Sequence, residues 1–310
     1  MNVLVTGGAG FIGSHTVEAL LAAGAHVTVY DNFSNGKRAN LPDAHERLRV
    51  VEGDIRDPDA LRAAITGASH VLHLAAQVSV QASIADPLES CRQNVLGFVT
   101  VLETARAAHV SRVLFASSAA VYGTPRELPL TEESPVAPIS PYGLEKSIDE
   151  QYGRLYAGLY ALPTLALRFF NVYGPRQDPQ SPYSGVISKW HGAIATGAPV
   201  RIFGDGQQTR DFVYVGDIAQ VNVRALAASA TGVCNVGSGA SVTLLDMLAS
   251  LERSAGRAAD RRFEPAVDGD IRFSATSTTR LREHIGYVPA TSLESGLGAL
   301  LQWSEGRRRD

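Results

Sequence analysis

A glycine-rich turn between a predicted strand and a predicted helix constrains the fold of this chain more than any other feature. NVLVTG (residues 2–7) is an apolar run of strand length, and GSHTVEALLAAGA (13–25) is typical of a helix that ends at Gly24. Between them, Gly8, Gly10 and Gly13 have the spacing G-x-G-x-x-G. Glycines in such a turn let the backbone approach a pyrophosphate, which the helix N-terminus binds. Taken alone the spacing is weak, because glycine turns also serve packing.

An acidic residue follows at the position that strengthens this interpretation. Asp31 ends the next predicted strand, HVTVYD (26–31), 18 residues beyond Gly13. A carboxylate there accepts hydrogen bonds from the ribose hydroxyls of a dinucleotide and repels a 2′-phosphate, so the sequence predicts NAD rather than NADP. Asp54 ends a third predicted strand and is a candidate for the adenine side, although an ordinary strand-end turn explains it nearly as well.

Strand-like and helix-like segments alternate through the first half of the chain. Further predicted strands are LRVVEGD (48–54), HVLHLAA (70–76) and RVLFASS (112–118). Their continuous apolar character suits strands that are covered on both faces. The sequence therefore predicts an α/β protein with a Rossmann-type doubly wound parallel sheet.

The pattern loosens after residue 168, which indicates a smaller C-terminal α/β substrate domain. RFFNVYGPRQDPQSPYSG (168–185) is rich in Gly, Pro, Asn and Ser and is typical of a long loop. The predicted elements beyond it are the strands VRIFG, RDFVYV and VCNVG and helices near 216–229, 243–255 and 293–305. We expect residues 1–168, with a return segment at about 211–232, to form the NAD-binding domain, and 169–210 and 233–310 the substrate domain.

Composition and charge argue against several classes of partner. With 28 Lys+Arg, 31 Asp+Glu and a net charge of −3, the chain favours neither nucleic acid nor an anionic membrane surface. No segment approaches the roughly 18 uncharged apolar residues of a membrane span. Cys91 and Cys234 make neither a disulfide framework nor a metal-ligand spacing. Since the sequence opens directly with a strand rather than a signal peptide, we expect a cytoplasmic protein without a metal.

A tyrosine and a lysine on one predicted helix are candidate catalytic residues. Ser140 and Pro141 are typical of a helix start, with a serine cap and proline at the first helical position. Tyr142 and Lys146 then lie on one helical face. A nearby ammonium stabilises phenolate over phenol, which makes Tyr142 a candidate general base. The alternative is a surface aromatic–cation pair.

A serine at the end of a predicted strand completes the set. Ser118 lies in FASSAAVYG (115–123), and ligands of doubly wound sheets collect beyond the carboxyl ends of the strands. There it can hydrogen-bond both the tyrosine oxygen and a substrate hydroxyl, although a strand-end serine is commonly only a turn former. We interpret Ser118, Tyr142 and Lys146 as one catalytic set.

These motifs in combination resemble a known family. TGGAGFIG, the strand-end Asp31, NV at 94–95, SSAAVYG and YGLEK are similar to the extended short-chain dehydrogenase/reductase family. RFFNVYGPRQ (168–177) and FGDGQQTRDFVYVGDIA (203–219) resemble its nucleotide-sugar branch, the UDP-sugar 4-epimerases. The resemblance implies an isomerase that inverts carbon 4 of a UDP-sugar by transient oxidation to a 4-keto sugar, with NAD kept bound. Tyr142, helped by Ser118, would take the 4-hydroxyl proton, and Lys146 would bind the nicotinamide ribose.

The predicted sites follow these motifs. The cofactor site comprises Gly7, Gly10, Phe11, Ile12, Gly13, Asp31, Asn32, Asp54, Ile55, Leu74, Ala75, Ala76, Asn94, Tyr142 and Lys146, of which Asn94 matches the family's structural asparagine. The resemblance implies substrate contacts at Ser79, Ser118, Asn171, Val186, Phe203, Arg210, Asp270 and Ser274. Asn171 and Arg210 would contact the UDP pyrophosphate, and Phe203 would stack on uracil.

Three departures within the family pattern bear on reaction and substrate. Related dehydratases and decarboxylases carry an acidic residue just after the active-site Ser/Thr, whereas Ala119, Ala120 and Val121 follow Ser118, so epimerisation is preferred. Ser274 stands where glucose/galactose-restricted bacterial epimerases have a tyrosine, which predicts that UDP-GlcNAc and UDP-GalNAc are accepted alongside UDP-Glc and UDP-Gal. Val267 stands where the family usually has a UDP-binding arginine. Either Arg272 or another nearby cation substitutes, or nucleotide affinity is lower.

Alternative functions stay open at this point. They are a UDP-glucuronate 4-epimerase, a nucleotide-sugar reductase, and a non-catalytic NAD-binding sensor on the same fold. The sensor predicts a broken catalytic set, whereas Ser118, Tyr142 and Lys146 are all present. The resemblance also implies a homodimer through a four-helix bundle made by helices near 88–107 and 142–160, although their alanine-rich faces are equally compatible with packing on their own sheet.

Overall fold

The computed structural model describes residues 1–178, 185–267 and 271–306. In chain order the strands are β1 (Asn2–Thr6), β2 (His26–Asp31), β3 (Leu48–Glu52), β4 (His70–His73), β5 (Arg112–Ser118), β6 (Thr164–Phe169), β7 (Asn171–Tyr173), β8 (Val200–Phe203), β9 (Thr209–Tyr214), β10 (Gly232–Val236), β11 (Ser241–Thr243) and β12 (Arg261–Glu264). The helices are α1 (Phe11–Ala22), α2 (Pro58–Ile65), α3 (Val80–Ala85), α4 (Pro87–Cys91), α5 (Gly97–Ala107), α6 (Pro141–Tyr160), α7 (Val186–Thr196), α8 (Val215–Ala227), α9 (Leu244–Ala255), α10 (Thr279–Ile285) and α11 (Leu293–Gly306). A π-helical turn, Arg92–Leu96, joins α4 to α5.

A seven-stranded parallel sheet organises the molecule, in the order β10-β6-β5-β4-β1-β2-β3. Every residue of β6, TLALRF, is buried, as expected of a strand covered on both faces. Helices α1 and α8 pack together on one face, and α2, α5 and α6 cover the other. The predicted fold class, a Rossmann-type doubly wound sheet, is confirmed.

The chain beyond β6 also builds a smaller α/β part with a core of its own. Its sheets are three-stranded, in the order β11-β9-β7, and two-stranded, pairing β12 with β8. Helices α7, α9 and α11 bury apolar side chains against these strands, among them Trp190, Met247, Leu248, Leu297 and Leu300. None of the described helices is long and apolar enough to cross a membrane.

Several elements of this half differ in place or kind from what the sequence predicts. β7 lies within the segment 168–185 that reads as a loop, and α7, α10 and β12 were not predicted from the pattern. VCNVG forms β10, which pairs in parallel with β6 at the edge of the large sheet, so the returning segment extends through Val236 rather than stopping near residue 232. The division of the chain into two domains stays a prediction.

Candidate active site

A cleft of about 1110 Å³ lies where the strands of the large sheet end. Its wall is formed by the residues that end or directly follow β1 to β6, which is where doubly wound sheets bind their ligands. Of the predicted site residues, those that line it are Gly7, Gly10, Phe11, Ile12, Gly13, Asp31, Asn32, Asp54, Ile55, Leu74, Ala75, Ala76, Ser118, Tyr142, Lys146 and Asn171. The fold therefore brings most of the predicted cofactor site and the whole catalytic set into one cleft.

The turn between β1 and α1 has space for a phosphate because three of its four residues are glycine. Gly7 has φ +68°, and a Cβ there would lie 2.6 Å from the backbone nitrogen of Ala75. A Cβ on Gly13 would lie 2.1 Å from the carbonyl oxygen of Gly7, so α1 approaches the turn more closely than any other residue allows. Among the described residues, no side chain caps the N-terminus of α1, which leaves its amides for an anion. Gly8 faces Val29 instead, so the cleft uses Gly7, Gly10 and Gly13.

Two carboxylates are held beside this turn. Asp31 Oδ2 accepts a hydrogen bond from the amide of Ala9 and Oδ1 one from the amide of Phe33, both at 2.9 Å. A carboxylate has further lone pairs, which can accept from ribose hydroxyls. Arg56 donates hydrogen bonds from Nε and Nη2 to the carboxylate oxygens of Asp54 at 2.9 and 2.8 Å, and these hydrogen bonds lower the pKa of Asp54 to about 2. Turn, helix end and carboxylates together fit a dinucleotide such as NAD.

The predicted catalytic residues reach the cleft from two elements. Ser118 ends β5, and its Oγ accepts a hydrogen bond from the amide of Ala120 at 3.1 Å. Helix α6 begins at Pro141 with Ser140 as its cap, whose Oγ accepts from the amide of Gly143 at 3.1 Å. Tyr142 and Lys146 therefore follow one another on the first turns of α6.

Lys146 carries its charge in a buried position. Its side chain is 3% exposed, and Nζ donates a hydrogen bond to Asp149 Oδ2 at 3.1 Å. Burial alone would lower the pKa of Lys146, but the carboxylate of Asp149 and the Tyr142 oxygen favour the ammonium, and the pKa is raised overall. The ammonium of Lys146 therefore lies within electrostatic reach of the Tyr142 oxygen.

A buried ion pair, which the motif analysis missed, anchors α6 to the sheet. Glu150 accepts hydrogen bonds from Arg168 of β6 at 2.8 and 2.6 Å and from Ser117 Oγ at 2.6 Å. Arg168 also donates to the hydroxyl of Tyr122 at 2.7 Å. Glu150 follows Tyr142 by eight residues, so the helical period could have predicted that the two side chains lie on the same side of α6. Nothing in the local sequence indicates that Arg168 on β6 is the partner of Glu150. This network sets where α6 presents Tyr142.

Two predicted contacts lie behind the cleft wall. Asn94 is 1% exposed, and its Oδ1 accepts from the amide of Gln77 at 2.8 Å while Nδ2 donates to the Gln77 carbonyl oxygen at 3.0 Å. Ser79 caps α3 by accepting a hydrogen bond from the amide of Ala82 at 3.0 Å. Because Gln77 lines the cleft, Asn94 shapes the site through the backbone rather than by facing it.

The remaining predicted substrate contacts lie in the smaller part. Asn171 reaches the cleft and donates to the Asp211 carbonyl oxygen at 3.1 Å. Val186 begins α7, Phe203 ends β8 and is 40% exposed, Arg210 lies on β9, and Ser274 is 7% exposed; none of these four lines the cleft. Asp270 lies outside the described residues. The roles of all these residues stay predictions.

Comparisons with known proteins agree with this geometry. Residues 3–237 match the model of the NAD dependent epimerase/dehydratase family. The chain is 38% identical to a UDP-glucose 4-epimerase from Mycolicibacterium smegmatis, with 98% of each chain covered.

Two solved structures extend the comparison. A UDP-N-acetylglucosamine 4-epimerase from Methanobrevibacter ruminantium M1 shares 37% identity and superposes with a TM-score of 0.95, covering 99% of this chain and 98% of its own. A dTDP-glucose 4,6-dehydratase from Streptomyces venezuelae with NAD bound shares 33% identity with a TM-score of 0.93, covering 100% of this chain and 98% of its own. The chain belongs to the NAD dependent epimerase/dehydratase family.

Proposed function

We propose that this protein is an NAD-dependent UDP-sugar 4-epimerase. The observation that carries the proposal is the meeting of Ser118, Tyr142 and Lys146 with the glycine turn in one cleft. The three residues after Ser118 are alanine, alanine and valine, so no acid follows it to assist elimination or decarboxylation. A fold shared with a dehydratase does not separate the two reactions, but this local chemistry favours epimerisation.

The residues divide the work of the reaction. Tyr142 takes the proton from the 4-hydroxyl of the sugar and later returns it, while Ser118 Oγ hydrogen-bonds the same oxygen. Lys146 keeps positive charge beside Tyr142 and has donors left for ribose hydroxyls. NAD⁺ held by the glycine turn, Asp31 and Lys146 would supply a hydride acceptor for carbon 4 of the sugar and return the hydride to the opposite face of a 4-keto sugar.

The test is conversion of each UDP-sugar by the purified protein, with the epimers resolved. UDP-galactose and UDP-glucose should interconvert without net change in NADH, whereas a reductase consumes cofactor in step with product. Tyr142→Phe should lower kcat by roughly 100-fold or more, since general acid–base catalysis contributes about that much. Tyr152→Phe makes the same change at a half-exposed tyrosine of the same helix and should leave kcat unchanged. Full activity of Tyr142→Phe, or turnover of UDP-glucuronate alone, would contradict the assignment.

We assign the N-acetyl group of the sugar to the position of Ser274, because the side chain there is short. The amide of Ser274 donates to Thr209 Oγ1 at 3.3 Å and its carbonyl oxygen accepts from Ser241 Oγ at 2.6 Å. The backbone is thus held on both sides, and only a short side chain occupies the position. The protein accepts UDP-GlcNAc and UDP-GalNAc as well as the unsubstituted pair.

The UDP moiety is bound by Asn171, Arg210 and Phe203. Phe203 exposes an aromatic face on which uracil can stack. Val267 is 49% exposed and offers no charge, and Arg272 is already gripped by Asp205 through two hydrogen bonds of 2.7 Å. Arg272 would have to give up this pair to replace the missing arginine. The proposal assigns the pyrophosphate to Arg210, whose Nη1 donates to the carbonyl oxygens of Thr209 and Ile271 at 2.8 and 2.6 Å.

The functional unit is a homodimer. Apolar side chains are exposed along α4, its π-helical extension and α6: Leu88, Leu96, Leu144, Leu155 and Leu159, at 51% to 69%. Water-facing leucines on adjacent helices favour burial against a second copy. The cytoplasmic location stays a prediction.

A further inference from the structure

The mechanism leaves a buried carboxylate on α6 without a role. Asp149 is 0% exposed and lies one helical turn after Lys146, to which it is hydrogen-bonded. Its second oxygen, Oδ1, has no hydrogen-bond partner within the described part of the chain. Burying a carboxylate costs free energy unless it is paired, and the only pairing that the described residues give Asp149 is the one with Lys146 through Oδ2.

The other ionisable groups around Lys146 are committed elsewhere. On α6, Glu150 is bound by Arg168 and Ser117, and Glu145 Oε2 accepts from Ser90 Oγ and Asn94 Nδ2 at 2.8 and 2.6 Å. On β4, His73 is hydrogen-bonded to Thr6 at 2.8 Å, and burial lowers its pKa to about 3, so it stays neutral. Asp149 is the carboxylate that pairs with the ammonium.

An ammonium has three N–H donors, and in Lys146 they point to two different places. One N–H of Lys146 goes to Asp149, behind the cleft, and two remain for groups in the cleft. The pair also has an electrostatic effect. Burial raises the pKa of Asp149, while Lys146 opposes that rise, and Asp149 in turn favours the charged form of Lys146.

We propose that Asp149 is a positioning residue of the reaction, which keeps Lys146 charged and aimed into the cleft and so sets the upper pH limit of the reaction. The inference rests on the proposed function. It also makes a claim about Lys146 that holds in the absence of turnover.

The first test is the pH profile of kcat for wild type and Asp149→Asn. Without the Asp149 carboxylate, the effect of burial on Lys146 is opposed less, so the basic limb should move to lower pH by about one unit or more. KM should change little, because Asp149 does not line the cleft. Asp59→Asn makes the same change at a carboxylate that is 84% exposed and should leave the profile in place. A lower kcat with unmoved limbs would mean that Asp149 only supports the fold, and would overturn the proposal.

The second test observes Lys146 directly. The chain has only three lysines, Lys37, Lys146 and Lys189, so the side-chain ¹⁵N spectrum is simple and Lys146→Arg assigns the signal. On NAD-loaded protein without substrate, wild-type Lys146 should remain an ammonium to at least about pH 10, its ordinary range. In Asp149→Asn, or in Asp149→Ser if the amide variant does not fold, it should lose its proton about one unit lower or more.

The two tests separate the possible failures. A protein without epimerase activity whose Lys146 titration still depends on Asp149 would contradict the proposed function and keep this pairing. Epimerase activity with a Lys146 titration that is the same in wild type and variant would keep the function and overturn the inference. Loss of the wild-type Lys146 proton below about pH 9 would overturn it without any variant.

Discussion

At the scale of single residues, the proposed function depends on the size of one side chain, Ser274, and on the charge of another, Lys146. Ser274 illustrates the first case, since both of its backbone hydrogen-bonding groups are used and its short side chain is the only variable. Lys146 illustrates the second, since its ammonium persists at 3% exposure through a partner one helical turn away.

Ser274→Tyr should remove activity on the N-acetylated sugars selectively. A phenol ring at a position that is 7% exposed fills the space that we assign to the N-acetyl group. We expect kcat/KM for UDP-GlcNAc to fall roughly tenfold or more, the usual size of steric discrimination, and that for UDP-galactose to change little. Ser274→Ala removes only the hydroxyl and should keep both activities. An equal loss for both sugars in the tyrosine variant would count against the assignment of this pocket.

At the scale of elements, the site depends on how two helices begin. α1 starts against a turn too tight for a Cβ, and α6 starts at a serine cap and is held to the sheet by Glu150 and Arg168. Both helix starts place functional groups at the carboxyl ends of strands. The cap of α6 and the glycine spacing are local and were predictable, whereas the Glu150–Arg168 pair joins a helix to a strand that follows it and needed the fold.

Gly13→Ala should weaken NAD binding while preserving the fold. The added methyl would lie 2.1 Å from the Gly7 oxygen, so the turn must open. Overpacking of this kind costs about 1–3 kcal/mol, and we expect the Kd for NAD to rise roughly tenfold or more. Gly298→Ala, on α11 with nothing within 4 Å of the new methyl, is the matched control. Titration calorimetry measures both, and unchanged affinity in Gly13→Ala would argue against the phosphate site.

At the scale of the whole molecule, the exposed leucines of α4, the π-helical turn and α6 support the proposed homodimer. Apolar side chains at 51% to 69% exposure on neighbouring helices are costly in water. α4 and the π-helical turn pack against α6, which carries Tyr142 and Lys146. A second copy bound to these leucines would therefore also stabilise α6.

Leu155→Glu combined with Leu159→Glu should therefore yield a monomer. Two carboxylates in a buried apolar interface would be left unpaired, which is unfavourable by several kcal/mol. Light scattering coupled to size exclusion measures the mass at several concentrations. Leu128→Glu changes a leucine that is 42% exposed outside these helices and should leave the dimer intact. A wild-type protein that is monomeric at all concentrations would refute the assembly.

What the sequence by itself determined lies in short stretches of chain. The glycine turn, Asp31 at the end of β2, Ser118 at the end of β5 and the Tyr142–Lys146 pair depend on spacing within one or two elements. Local periodicity and turn chemistry are enough to place such groups relative to one another. The parallel sheet was predictable for the same reason, since β1 to β5 could each be recognised alone, although β6 was not predicted.

The tertiary structure decided what depends on pairing between distant residues. β10 joins the large sheet because it pairs with β6, more than 60 residues earlier, although its sequence suits either part of the molecule. Asn94 faces Gln77 rather than the cleft, and Arg168 finds Glu150 across a helix and a strand. Asp149 reads from the sequence as one more acid on a helix. Only packing removes it from water, and the loss of solvent makes its bond to Lys146 matter.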